Sequence, residues 1–297
     1  MTAMTFAATA HNHASTDNAF NPDTQRIKSH LFFLADDLLE GRDTGSRGHE
    51  IAALYIATEF AKYGLKPAGT DGYMQNVAFR KANLVQESPK FTFTQNGETV
   101  EFDYPKEYLA SPSLLSTEAN VKGEMVFVGY GIVADELSHN DYKDLDVKGK
   151  VVVALAGKPS DFPSEEGAHF ASGYQKQKYA VDNGAIGMIT ITTPKNEKVR
   201  PYQSRLNYIH TPRMAWLDDS GQPANSFSQL KGGAYMSEGA ARKLFEGAEK
   251  SLDDVYAQLE ADKVPQGFAL NGVVDISKTS VHDTITSPNV VGVLEGS

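Results

Sequence analysis

Histidines are the side chains of this chain whose spacing bears most directly on catalysis and metal binding. His11 and His13 lie two residues apart and could chelate a transition metal, but a tail without supporting groups rarely makes a metal site. His282 is followed by Asp283, which is typical of a surface turn. Four further histidines show no pair on one helical face: His30, His49, His169 and His210. None of these positions predicts a metal or acid–base site.

Several other functions are excluded or disfavoured by composition and by missing motifs. The chain has no cysteine, which excludes disulfides, thiolate metal ligands and a cysteine nucleophile. No Gly-x-Ser-x-Gly elbow, P-loop or dinucleotide fingerprint occurs. The net charge of -10 argues against nucleic-acid binding, which needs clustered Lys and Arg. No apolar run approaches the roughly 20 residues that a membrane-spanning helix needs.

The elements that would have to position functional groups begin after a tail at residues 1–20. Ile27, Leu31, Leu34 and Leu38 recur at helical spacing from Pro22 until Gly41 ends the run. A second helix is predicted from His49 to Tyr63, with Gly64 as its left-handed cap. We expect the two helices to pack as a pair.

Strand patterns dominate the rest of the chain. Asn96-Gly97, flanked by alternating apolar residues, predicts a tight hairpin. A helical segment near residues 174–183 lies between short β-rich runs, and Ser237 is placed to cap a helix that precedes another at 252–259. The β-rich runs are 125–128, 151–155, 186–191, 214–217 and 273–276. With 297 residues the chain is long enough for about two domains.

Two sets of motifs carry a resemblance to a known family. Leu38-Leu39-Glu40-Gly41-Arg42-Asp43-Thr44-Gly45-Ser46-Arg47-Gly48, with Tyr63-Gly64-Leu65-Lys66-Pro67-Ala68-Gly69, resembles the opening of bacterial leucyl-aminopeptidase-type zinc peptidases. The second set resembles the protease-associated domain inserted in those enzymes. It consists of Val126–Ile132, Asp141-Tyr142, Asp146–Val153, then Lys178, Ala180, Gly184-Ala185 and Gly187.

The resemblance implies an enzyme with two zinc ions, held by a His-x-Asp, a Glu-Glu pair, a further Asp and a late His. His139-Asn140-Asp141 and Glu165-Glu166 mimic two of these pieces. His139 follows a polar run instead of a buried strand, Glu165-Glu166 lies in an acidic turn, and Asp182 comes after that pair although the bridging Asp should precede it. We therefore interpret these residues as solvated loop residues and assign no catalytic, cofactor-binding or metal-ligating residue in this chain.

The resemblance also implies a domain organisation of the α+β class. Residues 1–20 are expected to be a disordered tail or signal remnant, and 21–118 the helical and hairpin segment of a peptidase domain. Residues 119–280 are expected to be the β-rich protease-associated domain with flanking helices. Residues 281–297 are expected to be a first strand returning to the peptidase domain. The apolar run Ser287–Gly296 is typical of a strand entering a core, so the chain is expected to be truncated before an α/β catalytic domain that holds the metals.

The leading hypothesis is therefore the N-terminal and protease-associated part of a secreted or periplasmic zinc aminopeptidase, inactive by itself, in which the insert gates or selects peptide substrate. Its helix pair and hairpin are expected to expose an apolar face that can self-associate. One alternative is a freestanding protease-associated module that binds peptide or protein. Another is a complete enzyme with a degenerate metal site at His139, Asp141 and Glu165.

A polar and aromatic stretch, Arg200–Tyr208, lies between two predicted strands. One interpretation is a loop that overhangs the catalytic domain and shapes a peptide channel. The other is an ordinary solvated connection. Arg205 and Tyr208 are the residues whose replacement would distinguish them.

Overall fold

The computed structural model describes residues 22–296, which form two compact units. The first unit contains residues up to 75 and from 288 onward, and the second contains residues 76–287. The helices are α1 Thr24–Leu34, α2 Arg47–Lys62, α3 Ser164–Phe170, α4 Gly173–Asp182, α5 Pro194–Val199, α6 Tyr202–Arg205, α7 Glu238–Leu244 and α8 Leu252–Glu260. The strands are β1 Lys66–Pro67, β2 Met74–Leu84, β3 Lys90–Gln95, β4 Glu98–Glu101, β5 Tyr108–Leu109, β6 Glu118–Phe127, β7 Val133–Ala134, β8 His139–Asn140, β9 Val151–Leu155, β10 Gly187–Ile191, β11 Arg213–Trp216, β12 Gly232–Met236, β13 Phe268–Val290 and β14 Gly292–Val293. This mixture confirms the α+β class.

The first unit contains the predicted helix pair. Phe33 of α1 stacks on Tyr55 of α2 with ring centroids 4.3 Å apart, and the Tyr55 hydroxyl lies 2.8 Å from Nδ1 of His30. Gly64 has a φ of 76°, so the predicted left-handed residue after α2 is confirmed. The α1 helix is shorter than predicted, because Asp36 caps a separate 3-10 turn by accepting a hydrogen bond from the Leu38 N–H at 2.9 Å.

The apolar run at 287–296 contains the end of β13, which extends to Val290, and the short strand β14; its return to a peptidase domain stays a prediction. The pair β1 and β14 is antiparallel, with Lys66 opposite Val293. Each strand of this pair has only two residues; Ser287 is buried, whereas residues 293–296 are exposed. Val293 is 45% exposed and Leu294 is 78% exposed.

The second unit is built on a sheet with the order β11-β2-β13-β6-β9-β10-β12-β5, and β3 joins through β13. Its centre is parallel, since β6, β9, β10 and β12 pair with one another in the same direction. Its margins are antiparallel, at β12 with β5 and at β13 with β6. The carboxyl ends of the four parallel strands therefore meet at one edge of the sheet.

The central strand β9 is buried on both faces. Val151, Val153 and Leu155 belong to a large cluster with α7 and α8, whereas Val152 and Ala154 belong to a smaller cluster with α4. An unbroken run of buried aliphatic residues is typical of a parallel strand covered by helices on both sides. The predicted β-rich runs thus become the centre of the second unit.

The predicted hairpin at Asn96-Gly97 is confirmed, with φ of 52° and 85° at the two turn residues. Its first strand, β3, pairs with β13 through Val273 to Ser277. The hairpin therefore belongs to the second unit, although its sequence position suggested the peptidase segment 21–118. The reason is hydrogen bonding to a strand about 180 residues later in the chain. The two compact units divide between residues 75 and 76, and the assignment of 21–118 to a peptidase domain stays a prediction.

A bulge in β13 generates a prediction on stability. Gly272 has a φ of 125°, and a Cβ at this position would lie 2.4 Å from Cε2 of Phe93 and 2.8 Å from the carbonyl oxygen of Thr94. Gly272→Ala should therefore lower the free energy of unfolding by about 2 kcal/mol or more. Gly239, inside α7 with open space around it, is the matched control: Gly239→Ala should leave stability unchanged or raise it by up to about 1 kcal/mol. Urea denaturation measures both, and equal effects of the two substitutions would contradict this account.

Candidate functional site

The His139 and Asp141 side chains are buried, which corrects their interpretation as solvated loop residues. Their side chains are 13% and 5% exposed, and Nε2 of His139 lies 3.0 Å from Oδ1 of Asp141. The two atoms are close enough for a charge contact, but the angles are not those of a hydrogen bond. The other oxygen of Asp141, Oδ2, accepts a hydrogen bond from the Ile132 N–H at 3.0 Å. Asp141 thus joins the residue before β7 to the residue after β8 and closes the end of this small ladder.

The acidic pair Glu165-Glu166 lies in the first turn of α3 and is exposed, as the sequence predicts. Acidic residues at this end of a helix interact favourably with its dipole, which accounts for their position without a metal. Within residues 22–296 no group of three His, Cys, Asp or Glu side chains is arranged to hold a metal ion. That the zinc ligands of the complete enzyme lie elsewhere stays a prediction.

The remaining histidines have structural contacts. His282 lies in β13 and not in a surface turn: Nε2 is 2.7 Å from the carbonyl oxygen of Ser113 and Nδ1 is 3.3 Å from an Arg80 nitrogen. The strand pairing of β13 explains the difference, because the sequence pattern ended the preceding strand too early. His49 Nε2 lies 3.0 Å from the carbonyl oxygen of Pro288. His11 and His13 are outside the described residues.

A cavity of the second unit lies at the carboxyl ends of the parallel strands; we name it the carboxyl-end cavity. It has a volume of about 520 Å³. Its walls are Tyr130 after β6, residues 156–161 after β9, residues 193–198 after β10 and residues 259–264 at the end of α8. This edge is where open sheets with parallel strands commonly bind ligands, because the loops there diverge. The cavity is therefore the candidate functional site.

Both signs of charge line the carboxyl-end cavity. Lys195, Lys198 and Lys263 contribute positive charge, while Asp161, Glu260 and Asp262 contribute negative charge. One contact crosses from the β9 loop to the end of α8, since the Ser160 hydroxyl donates to Oδ1 of Asp262 at 3.2 Å. Such a lining suits a polar ligand that carries donors, acceptors and both charges, such as a peptide.

A buried lysine supports the floor of the cavity. Lys176 of α4 is 4% exposed, and its ammonium donates to the carbonyl oxygens of Leu155 at 2.8 Å and Gly157 at 2.7 Å. Burial lowers the pKa of Lys176 to about 7, against a smaller opposing effect of Asp141. Tyr130 has its ring 5.7 Å from this ammonium, and burial raises its pKa to about 12, so its hydroxyl stays neutral. Lys176 thus holds the start of the loop after β9 through two backbone carbonyl groups.

The stretch Arg200–Tyr208 is not a plain loop but a set of short helical turns anchored on the second unit. The Tyr202 hydroxyl donates to the carbonyl oxygen of Pro105 at 2.7 Å. The guanidinium carbon of Arg205 lies 4.3 Å from the centroid of the Tyr235 ring. Tyr208 is 60% exposed. The centroid of the Tyr208 ring lies 5.9 Å from the guanidinium carbon of Arg200, so both residues singled out from sequence have contacts within this unit, and Tyr208 is the one that is exposed.

Sequence reasoning missed the residues that line and support the cavity. Helical spacing could have identified Lys176, because it lies four residues before the buried Ala180 on the same face of α4. The loops after β9 and β10 carried no motif. The only signal for them is that consecutive parallel strands bring their carboxyl ends together.

Comparisons with known proteins identify no family. No family model matches this chain, and no curated protein matches it. Among solved structures, it is similar to an aminopeptidase from Aneurinibacillus sp. strain AM-1, with 18% sequence identity over 91% of this chain and 47% of that one, and a TM-score of 0.40. It is also similar to BSAP, a zinc aminopeptidase from Bacillus subtilis, with 14% identity, coverage of 91% and 47%, and a TM-score of 0.33.

A further solved structure with similarity is the subtilisin-like protease Apa1 from the Antarctic psychrotroph Pseudoalteromonas sp. AS-11. The identity is 10%, the coverage is 69% of this chain and 36% of that one, and the TM-score is 0.29. The chain spans about half the length of the aminopeptidases that it matches. Similarity at this level assigns no activity to the chain.

The burial of Lys176 generates a prediction on pH. The pKa of Lys176 is lower in the folded chain than in the unfolded chain, so the unfolded chain binds more protons between pH 7 and about 10. The free energy of unfolding should therefore rise with pH in this range, by up to about 1.4 kcal/mol per pH unit. Lys176→Met should remove this contribution, so the wild-type advantage over the variant should grow from pH 7 to 9.5 and stay constant below pH 6. Urea denaturation across this range measures it.

Lys178 of the same helix provides the control for Lys176. Lys178 is exposed, and its ammonium donates a hydrogen bond to Asp182 at 2.6 Å, which raises the pKa of Lys178. The difference in free energy of unfolding between wild type and Lys178→Met should therefore not vary between pH 7 and 9.5. Parallel pH profiles for the two variants would show that Lys176 is not desolvated in the folded chain.

Proposed function

We propose that this chain provides the protease-associated, substrate-selecting part of a zinc-dependent aminopeptidase. The observation that carries the proposal is that the motif segments meet in space. Val126 and Val128, Tyr142, Val147, Val152 and Ala154, and Ala180 and Ala185 form one buried cluster. These residues come from the successive segments whose order in sequence resembles the protease-associated insert, so one packing arrangement accounts for all of them.

The proposed contribution of the insert is binding and not chemistry. The carboxyl-end cavity offers charged side chains of both signs to a peptide, whereas His139 and Asp141 are engaged in structural contacts. Other residues of the complete enzyme would supply the ligands of the two zinc ions and the group that activates water. We place the enzyme in a secreted or periplasmic compartment, and fractionation of the source cells tests this placement. The tail at residues 1–20, which the sequence analysis expects to be a disordered tail or signal remnant, lies outside the described residues.

The product of the entire reading frame tests the function. It should hydrolyse aminoacyl anilides and short peptides, and a zinc chelator should abolish turnover. Ala168 lines the cavity from α3, so Ala168→Trp should fill part of it and raise KM for tetrapeptides several-fold while kcat for an aminoacyl anilide stays unchanged. Ala257→Trp, on the exposed side of α8 and outside the cavity lining, is the matched control.

Each result of this experiment has a defined meaning. Equal KM values for the two tryptophan variants would reject a peptide role for the cavity. A product that binds peptide but shows no zinc-dependent turnover would reject the aminopeptidase proposal in favour of the freestanding binding module. Turnover by residues 1–297 alone, with stoichiometric zinc, would instead support the degenerate site at His139, Asp141 and Glu165.

The first unit exposes a set of large apolar side chains that we name the apolar face. Phe32 is 80% exposed, Leu38 is 86% exposed, and Leu31 and Leu54 are 62% and 63% exposed. Monomeric soluble proteins seldom expose such residues together, so they are typical of a surface that another protein surface covers. We propose that this face packs on the catalytic domain in the complete enzyme and self-associates in the isolated chain.

Self-association of the isolated chain should depend on the apolar face. Phe32→Glu combined with Leu38→Glu should shift the chain toward monomer in sedimentation velocity at micromolar concentration, because burying a carboxylate at a contact opposes association. Val199→Glu is the control, since Val199 of the second unit is 81% exposed. An unchanged sedimentation coefficient for the double variant, with wild type associated, would exclude this face as the contact.

A further inference from the structure

The second unit contains a smaller cavity, distinct from the carboxyl-end cavity, that we name the basic pocket. It has a volume of about 250 Å³. Its lining comes from β5, β10, β11, β12 and β13 and from the segments 111–115 and 225–231. It lies beside α4, whose Gln177 contributes to the wall. Strands of the sheet and these two connecting segments thus form the pocket together.

The charge of this lining is unusual for the chain. Arg213, Lys231 and Lys278 contribute to it, and no Asp or Glu does. The chain as a whole has 38 acidic and 28 basic residues, so an all-basic cavity is the reverse of its general composition. Within residues 22–296, none of these three side chains forms an ion pair. The positive charge in the pocket is therefore not neutralised by the protein around it.

Two effects lower the pKa of Lys278 in this pocket. Burial, and then the neighbouring charge of Arg213, lower its pKa to about 8. Burial also lowers the pKa of Arg213, although the residue as a whole is exposed. Two unpaired cations that are held close together repel each other, and a bound anion would reverse this effect.

Neutral groups in the lining restrict the kind of anion. Thr190 and Asn225 offer polar side chains, and the Tyr235 hydroxyl is buried without a hydrogen-bond partner. Leu109 and Phe227 provide apolar surface in the same cavity. An inorganic oxyanion would use the donors but not the apolar wall. An organic molecule with one carboxylate would use both.

We propose that the basic pocket binds a small organic carboxylate, with its carboxylate between Arg213 and Lys278 and its apolar part against Leu109 and Phe227. Planar guanidinium groups bind carboxylates well, and an ammonium adds a second charge-assisted hydrogen bond. An N-acylated amino acid or the C-terminal residue of a short peptide has the required chemistry. The proposal does not depend on the aminopeptidase assignment, because it concerns binding to a cavity that contains no proposed catalytic group.

Calorimetric titration of the purified chain with three probes tests the proposal. N-acetyl-leucine should bind. N-acetyl-leucinamide, which lacks the carboxylate charge, should bind at least about tenfold more weakly. Inorganic phosphate should also bind more weakly than N-acetyl-leucine. Binding of the amide as tight as that of the acid would exclude a role for charge. If phosphate bound more tightly than N-acetyl-leucine, the proposal of an organic carboxylate would be rejected in favour of an inorganic oxyanion. If no probe bound, the proposed binding site would be rejected.

Variants locate the binding in the basic pocket. Lys278→Met and Arg213→Gln should each lower the affinity for N-acetyl-leucine at least about tenfold. Lys90→Gln is the charge-matched control, because Lys90 is exposed on β3 and lies outside the pocket lining. This variant should bind N-acetyl-leucine with the same affinity as wild type. Lys278→Met should also melt no lower than wild type, since it removes a half-buried ammonium that has no ion-pair partner and lies near Arg213. Affinity retained in both pocket variants would overturn the assignment.

Discussion

The constraint on which the second unit depends is that its central parallel strands have no solvent face. Every residue of β9 is buried, with alternate side chains in two separate clusters, so helices must cover both sides. This leaves the carboxyl ends of the strands as the place where loops can open. It also explains the buried lysine: α4 must lie against the sheet, and the Lys176 ammonium is retained there because it satisfies two carbonyl oxygens at the end of β9.

Local patterns in the sequence predict the elements well, because they depend on neighbouring residues. The α2 helix, the Asn96-Gly97 turn and the buried run 151–155 all follow from spacing and turn chemistry. Partners that are distant in the chain do not follow. Nothing near residues 90–95 indicates that they pair with 273–277, and this pairing decides to which compact unit the hairpin belongs.

The candidate site was less predictable than the fold, because spacing says little about burial. The His139-x-Asp141 pattern has the residue types of a metal site, and the objection to it was that it lay in a polar run; in the structure the pair is buried for a structural reason. The signal for the basic pocket was present but weak. Lys278 continues the alternation of Val274, Ile276 and Ser280, which predicts an inward-facing position on β13.

The motif in the β7-β8 ladder has a consequence for pattern searches in general. Carboxylate oxygens coordinate cations and cap backbone amides with the same lone pairs, so a one-dimensional signature cannot separate the two uses. In Asp141 one oxygen is occupied by the Ile132 amide and the other faces an imidazole. Any scan that scores only histidine and aspartate spacing will count such tight corners as hydrolase centres, unless it also asks which amides nearby need an acceptor.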